Sequence, residues 1–338
     1  MKKRKQIIFF ACIAAVLITS CIDFKNNSKE DKTIYCNNSF DPVTWDSCNY
    51  TSFTSQEFSI NILDRQELPY VRNSTNIWKK DNYDANSVPL HTFKGKKNYH
   101  PVYIAQSALN IVDVYVNTKD SSHLKKLENI ADKLIGMALE VDSALFFTYT
   151  FDFQLHDCEE ETMLAPWYSA MAQGQILSFF CRGYEATNDA RYLQASRKIF
   201  NSFTRLKGEG HEPWVSCVDK NGNLWLEEYP RDLPCFTLNG KVFAIYGVYD
   251  FYRISNDKYA KEILNAAITT LKVNIHKFRD KNEVSWYCLK HNNYHGKNKK
   301  YHKIHVDQLR MLYKISGDIY FEQMADKFQS DFVLEVKK

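Results

Sequence analysis

Two carboxylates and a phenol stand together in Leu226-Glu227-Glu228-Tyr229-Pro230, and the proline forbids a regular ladder just beyond them. Two further clusters of the same character follow, Trp286-Tyr287-Cys288-Leu289-Lys290 and Tyr301-His302-Lys303-Ile304-His305. An earlier one, Ala165-Pro166-Trp167-Tyr168-Ser169, is aromatic. Phenols, carboxylates, a lysine and imidazoles are the working parts of general acid–base chemistry. Flat rings with polar groups around them are also a common way to hold a sugar. Taken singly, none of the clusters decides anything. The chain has 21 tyrosines, so chance groupings are easy, and the lysines from Lys297 to Lys303 could hold an anionic chain but read better as a solvated loop.

Clusters so far apart need a scaffold that gathers them. An internal repeat supplies one: VYVNTKDSSHL (114–124), GYEATNDARYL (183–193), VYDFYRISNDKYA (248–260) and LYKISGDIYF (312–321). Each carries a tyrosine late in an apolar helix, then Thr or Ser, one residue, and Asp: Asp120, Asp189, Asp257 and Asp318. Asp near a helix start accepts orphan backbone N–H bonds and suits the positive end of the dipole. The pattern predicts about four helical hairpins, and such recurrence marks a repeat architecture. Long returns with strand-like pieces separate them (146–151, 213–228 and 283–289). The fold class expected is mainly α: an α/α toroid over 96–336, with β-strand excursions at one rim and a small strand-containing N-terminal segment at 61–95. Phe58 to Ile62 alternates as a strand does. The first helix of the second pair carries Ser169, Gln173, Gly174 and Gln175, which suit either close helix packing or a polar lining.

The first twenty residues read as a targeting segment: Lys2, Lys3, Arg4 and Lys5, then an apolar run from Ile7 to Ile18. Ile18-Thr19-Ser20-Cys21 resembles a bacterial lipobox, which implies a lipoprotein signal peptide (1–20) and lipidation of Cys21. The expected location is the cell envelope, anchored by lipid to a bacterial membrane, with 21–60 as a polar tether. The chain has 44 Lys+Arg against 40 Asp+Glu, and removing the four signal cations leaves the charges balanced. Charge therefore gives no reason to expect nucleic acid as a partner. Cys36 and Cys48 sit in a polar stretch where they could pair, Cys158 is ambiguous, and Cys181, Cys217, Cys235 and Cys288 read as small core residues. No CxxC pair is present, so no metal site is expected.

WYSAMAQGQ (167–175), EEYP (227–230), LNG (238–240) with YGVYD (246–250), and YHKIHVDQL (301–309) together resemble the C-terminal domain of D-glucuronyl C5-epimerases. VPL (88–90) and NYHPVYIAQSALN (98–110) resemble that family's entry into its helical domain. The likeness runs in order from about residue 88 to 335. It implies an α/α toroid and a reaction that converts glucuronate to iduronate in heparosan-type polysaccharides, without a cofactor. It assigns Tyr229, Tyr287 and Tyr301 as the catalytic phenols and Glu228 as a substrate-side carboxylate. Lys290 stands where the family usually has arginine, a point charge in place of a bidentate fork. Tyr99, Trp167, Tyr168, Gln173, Asn239 and His305 are further substrate-binding candidates. His91, His100, His291 and His295 are expected at the surface or in support.

Removing the C5 proton of a uronate leaves charge on an enediolate, for which Lys290, His302 and His305 are candidate stabilisers. Inversion needs a proton acceptor on one ring face and a donor on the other. The expected split has Tyr229 as a donor oriented by Glu228, and Tyr287 or Tyr301 as a base depressed by Lys290. The competing enzyme is a toroid-fold polysaccharide lyase, which begins with the same abstraction. The competing non-enzyme is a glycan-binding lipoprotein. A homodimer is left open.

Overall fold

Four times the chain makes the same turn. The computed structural model describes residues 46–78, 82–291 and 297–333. The targeting segment, Cys21, Cys36 and His295 lie outside those residues. The hairpins are α1 (Pro101–Thr118) with α2 (Ser122–Met137), α3 (Ala170–Thr187) with α4 (Ala190–Asn201), α5 (Leu238–Ser255) with α6 (Lys258–Asn274), and α7 (Lys299–Ser316) with α8 (Ile319–Asp331).

At each turn the Thr or Ser hydroxyl donates back one helical turn: Thr118 to Val114 O, Thr187 to Gly183 O, Ser255 to Phe251 O and Ser316 to Leu312 O. The same oxygen accepts from the N–H of the Asp two residues on, at 3.2–3.3 Å. Between them Lys119, Asn188, Asn256 or Gly317 takes the left-handed conformation that ends the helix. Asp120, Asp189, Asp257 and Asp318 then accept from Ser122 N, Arg191 N, Ala260 N and Tyr320 N at 2.8–3.0 Å. The repeat seen in the sequence is one turn motif used four times.

The first helices of the pairs form the inner layer. Every residue of Pro101–Val114, Ala170–Gly183 and Leu238–Phe251 is buried. The second helices bury one stripe each and face outward. α3 and α5 meet backbone to backbone: a Cβ added at Gly174 would lie 2.5 Å from Ala244 Cα, and one at Gly247 would lie 2.5 Å from Gly174 Cα. The returns form two-stranded antiparallel ribbons: β1 (His91–Phe93) with β2 (Lys96–Asn98), β3 (Ala138–Val141) with β4 (Ala144–Phe147), β5 (Phe153–Gln154) with β6 (Thr162–Met163), and β7 (Ser216–Val218) with β8 (Leu224–Leu226).

Residues 46–60, expected as part of a free tether, are laid on the ring, and Phe58 to Ile62 is not a strand. The segment's first part bonds the end of β7 and the turn beyond it, and its later part bonds the helices. Tyr50 N bonds Val218 O, Gln56 N bonds Thr269 Oγ1, and Asn61 N bonds Ile315 O at 2.8 Å. The strap continues to α1, where Asp113 collects Arg65, Arg72 N and Ser74 N at 3.0–3.1 Å. Tyr70 is set between these contacts, stacked 5.7 Å from Phe243. The strap thus joins the last hairpin to the first across the C-terminal ends of the inner helices and leaves their N-terminal ends to the ribbons. Cys48 is a buried free thiol in contact with Cys217, and Cys36, its expected partner, lies outside the described residues. Among the described residues no helix is long and apolar enough to cross a membrane.

Helix propensity alone would make Gly174→Ala or Gly247→Ala stabilising by about 1 kcal/mol. The expected outcome is the reverse, a loss of roughly 1–3 kcal/mol, because a rigid backbone must move aside. Denaturant unfolding of either variant reads the sign.

Candidate active site

The candidate site gathers at the N-terminal ends of the inner helices. Glu227 hangs between two elements: its N–H bonds Val215 O and its carbonyl accepts from Ala170 N at the start of α3, both at 2.8 Å. Its carboxylate turns inward and accepts from Cys235 N and Phe236 N at 3.2 and 3.3 Å. Burial pushes that carboxyl up and pushes the neighbouring Lys241 ammonium down. Glu227 therefore shapes the 235–237 turn, where Phe236 holds a positive φ. The next segment pairs with that turn: Leu238 N bonds Tyr287 O, Leu289 N bonds Phe236 O and Lys290 N bonds Cys235 O. This pairing sets Tyr287 beside Glu228.

Glu228 points the other way from Glu227. It lies against Gly240, where an added Cβ would come within 2.6 Å of Glu228 Cβ. Tyr287 donates its hydroxyl to Glu228 Oε2 at 3.0 Å, and the Tyr229 and Tyr287 hydroxyls are 3.2 Å apart. All three residues are buried. Burial raises the Glu228 carboxyl to about 7, against the pull of the Thr237 hydroxyl and the two phenols. The Tyr301 ring leans on Tyr287 at 4.7 Å. Aromatic rings continue from Tyr229 as a wall: Phe153 stacks on it at 5.9 Å, Trp167 lies at 6.1 Å, and Tyr149 stacks on Trp167 at 3.8 Å.

The expected depression of Tyr287 by Lys290 is not found. Burial, joined by the negative field of Glu228, pushes Tyr287 well above the usual phenol range. Lys290 is itself buried and bonds Glu161 Oε1 at 2.6 Å. His291 Nε2 holds the other oxygen at 3.0 Å and Arg231 NH1 lies 3.3 Å from Oε1. Burial opposes ionisation of Glu161, but His291 and Lys290 outweigh it and hold the carboxyl well below its ordinary range.

Several candidates have other duties. Gln173 is fully occupied: Oε1 accepts from Phe147 N, and Nε2 donates to Leu145 O and Ser202 Oγ, so it ties β4 to α3. Tyr99 donates to Asp84 at 2.8 Å beneath the Lys133 ammonium. His305 is completely buried, bonds Ser285 Oγ at 2.8 Å, and is pushed down to about 3 by burial, so it is neutral. His302 accepts from Ser285 N through Nδ1 and faces Phe328 O through Nε2, which fixes a neutral tautomer. Both imidazoles thus brace the approach to Tyr287 and give no charge to an enediolate. Tyr168 is half-buried against Phe146, and Asn239 is buried in the first turn of α5. His91 and His100 are buried among the aromatic rings, 5.1 Å apart. The residues missed were Glu161, Arg231, Phe153 and His156; Arg231 directly follows EEYP and could have been noticed.

Residues 142–330 match the family described as the D-glucuronyl C5-epimerase C-terminus. The chain is 28% identical over 187 residues to a D-glucuronyl C5-epimerase of Caenorhabditis elegans, covering 50% of this chain and 30% of the worm protein. It thus spans about a third of that relative's length. It is 26% identical over 222 residues to an uncharacterized protein of Methanocaldococcus jannaschii, covering 63% of this chain and 69% of the relative. Among solved structures, the cellobiose 2-epimerase of Bacillus thermoamylovorans shares the fold with a TM-score of 0.52 at 10% identity, over 71% of this chain and 62% of that one. An inactive α-1,6-mannanase variant of Salegentibacter sp., bound to α-1,6-mannotetrose, gives 0.50 at 14% identity, over 78% and 68%. The architecture is an α/α toroid.

Raising a carboxyl pKa on folding has a thermodynamic signature. Below about 4.5 both states hold the Glu228 proton; between about 4.5 and about 7 only the folded state does. Wild-type stability should therefore fall relative to Glu228→Gln as pH rises through that window. Above it the gap should be constant, on the order of 3 kcal/mol in favour of the amide. Glu227 titrates in both proteins and largely cancels. Melting temperatures of the pair against pH test this, and a gap independent of pH would refute it.

Proposed function

The chain belongs to the D-glucuronyl C5-epimerase C-terminal family, and on that premise we propose that it inverts C5 of glucuronate residues in a heparosan-type polysaccharide. One observation carries the reading: the buried relay of Glu228, Tyr287 and Tyr229, linked at 3.0 and 3.2 Å. A carboxyl tuned to about 7 is matched to taking and returning a proton at neutral pH. The relay passes that capacity to a phenol without exposing the carboxylate to water.

Tyr229 and Tyr287 are too close to straddle a pyranose. A donor and an acceptor on opposite faces of C5, each within hydrogen-bond reach, stand roughly 6 Å apart. The two phenols therefore serve one face together, with Glu228 as the proton store. Tyr301, whose ring abuts Tyr287 from the start of α7, is the candidate for the other face. The wall of Tyr149, Trp167 and Phe153 is suited to the apolar side of a sugar ring.

The enediolate needs positive charge at the substrate carboxylate. Lys290 and Arg231 share the single carboxylate of Glu161, which leaves the group with a net positive charge. Arg231 supplies the bidentate fork that Lys290 lacks. A lipid-anchored location in the cell envelope remains part of the proposal, resting on the residues up to Cys21.

Incubation with a glucuronan in deuterated water, followed by NMR, tests the reaction. The expected result is deuterium at C5 of both epimers and the appearance of iduronate. An ultraviolet-absorbing unsaturated product would establish the lyase instead, and binding without exchange would establish a glycan-binding protein. Tyr287→Phe and Glu228→Gln should each lower exchange by about 10²–10⁴-fold. In the wild type, the rate should fall as pH drops through about 7, where Glu228 is protonated. In Glu228→Gln that limb should vanish.

A further inference from the structure

Behind Tyr287, two segments far apart in sequence aim nitrogen and sulfur at one point. His156 Nε2 lies 3.6 Å and His291 Nδ1 lies 3.0 Å from Cys288 Sγ, and the three atoms fall within 4.8 Å of one another. With zinc–sulfur bonds of about 2.3 Å and zinc–nitrogen bonds of about 2.0 Å, the edges of a tetrahedral site measure roughly 3.3–3.5 Å. The observed spacings bracket those edges. Cys288 and His291 are buried, and His156 is partly so.

The surroundings fit a ligand set better than a lone thiol–imidazole hydrogen bond. His291 Nε2 is 3.0 Å from Glu161 Oε2. A carboxylate that accepts a hydrogen bond from the N–H of one ring nitrogen leaves the other nitrogen with its lone pair and orients the ring, as in metal-ligating histidines. That other nitrogen is the one facing Cys288. Lys290 and Arg231 fix Glu161 in turn. His156 adopts φ 56° and ψ 26°, a left-handed conformation that non-glycine residues rarely take. That conformation is found in the turn that brings its ring 4.3 Å from the ring of His291.

We propose that His156 Nε2, Cys288 Sγ and His291 Nδ1 form a binding site for a zinc-class divalent ion. One thiolate and two imidazoles select a borderline-soft transition metal over calcium or magnesium, which take oxygen ligands. Three protein ligands leave the fourth tetrahedral position to a water or another small ligand. Binding displaces the Cys288 thiol proton to solvent, while both imidazoles bind in their neutral forms. The ion would pin the turn at 155–157 to the segment that carries Tyr287 and Lys290. The inference does not depend on the epimerase reading, because it concerns residues outside the phenol–carboxylate relay.

Cobalt(II) reports the ligand set without any activity assay. The full-length chain, stripped with a chelator and titrated with Co²⁺, should bind one ion per chain. Binding should bring a near-ultraviolet thiolate-to-cobalt charge-transfer band, which one equivalent of Zn²⁺ abolishes. Cys288→Ser should remove the band, His156→Ala should weaken binding at least tenfold, and Cys235→Ser should leave both unchanged. Failure of the wild type to bind stoichiometrically would overturn the proposal, whatever the variants do. So would a band that survives Cys288→Ser, or one lost in Cys235→Ser and kept in Cys288→Ser. The latter would move the ion to Glu161, Cys235 and His291, the neighbouring trio.

Discussion

A carboxyl group taken out of water must find donors or keep its proton, and Glu228 does some of each. It is held against Gly240 because only a glycine leaves room there. The Tyr287 hydroxyl donates to it and in turn meets Tyr229, and Thr237 and Tyr229 also favour its charged form. Everything nearby serves that arrangement. The turn before α5 is shaped by Glu227, the segment carrying Tyr287 is paired with that turn, and Ser285 is clasped by His302 and His305. Without them the carboxyl would be a buried group lacking its donors, a destabilising arrangement.

Glu161 solves the opposite problem. It stays ionised in a buried place because Lys290, His291 and Arg231 surround it. Two carboxylates of similar burial are thus driven apart, one toward protonation and the other firmly charged. Divergent tuning of nearby acids is a mark of sites that move protons. It also recasts the lysine at position 290. With a carboxylate already bonded to it, Lys290 is better regarded as part of a shared cationic group than as a single replacement for an arginine.

The turn motif was fully readable in the sequence, because its physics is local: a hydroxyl, a left-handed residue and a capping aspartate within three positions. The ring followed from its fourfold recurrence. Trp167, Tyr229, Tyr287 and Tyr301 could be placed at one rim because each lies at the start of an inner helix or in the return ahead of one. Gln173 and His305 could not be separated from true rim residues. Their partners, Leu145, Ser202 and Ser285, are far away in the chain, and sequence shows polar groups without showing what satisfies them. Glu161 and His156 were overlooked for a related reason. They lie in a return with no periodicity, and their meaning comes only from contact with residues some 130 positions on. Cys288 and His291, by contrast, stand in a C-x-x-H spacing that a search limited to C-x-x-C misses. The strand-like alternation of Phe58 to Ile62 is real, but the surface which that stretch covers is helical.

The ring itself does not choose a reaction. A cellobiose 2-epimerase and an α-1,6-mannanase share it at 10% and 14% identity, so the choice must be made at the rim. Hydrolysis of a glycosidic bond needs two carboxyl groups flanking it, roughly 5–9.5 Å apart and both able to act. At this rim Glu227 faces the backbone of Cys235 and Phe236, and Glu161 is bound by cations. Of these three carboxyls Glu228 is the one left to act, and it reaches outward through phenols. One tunable carboxyl behind a pair of hydroxyls cannot protonate a leaving group and activate a water on opposite sides of a bond. It can take a proton from a carbon and give one back, the limited task that inversion at C5 requires.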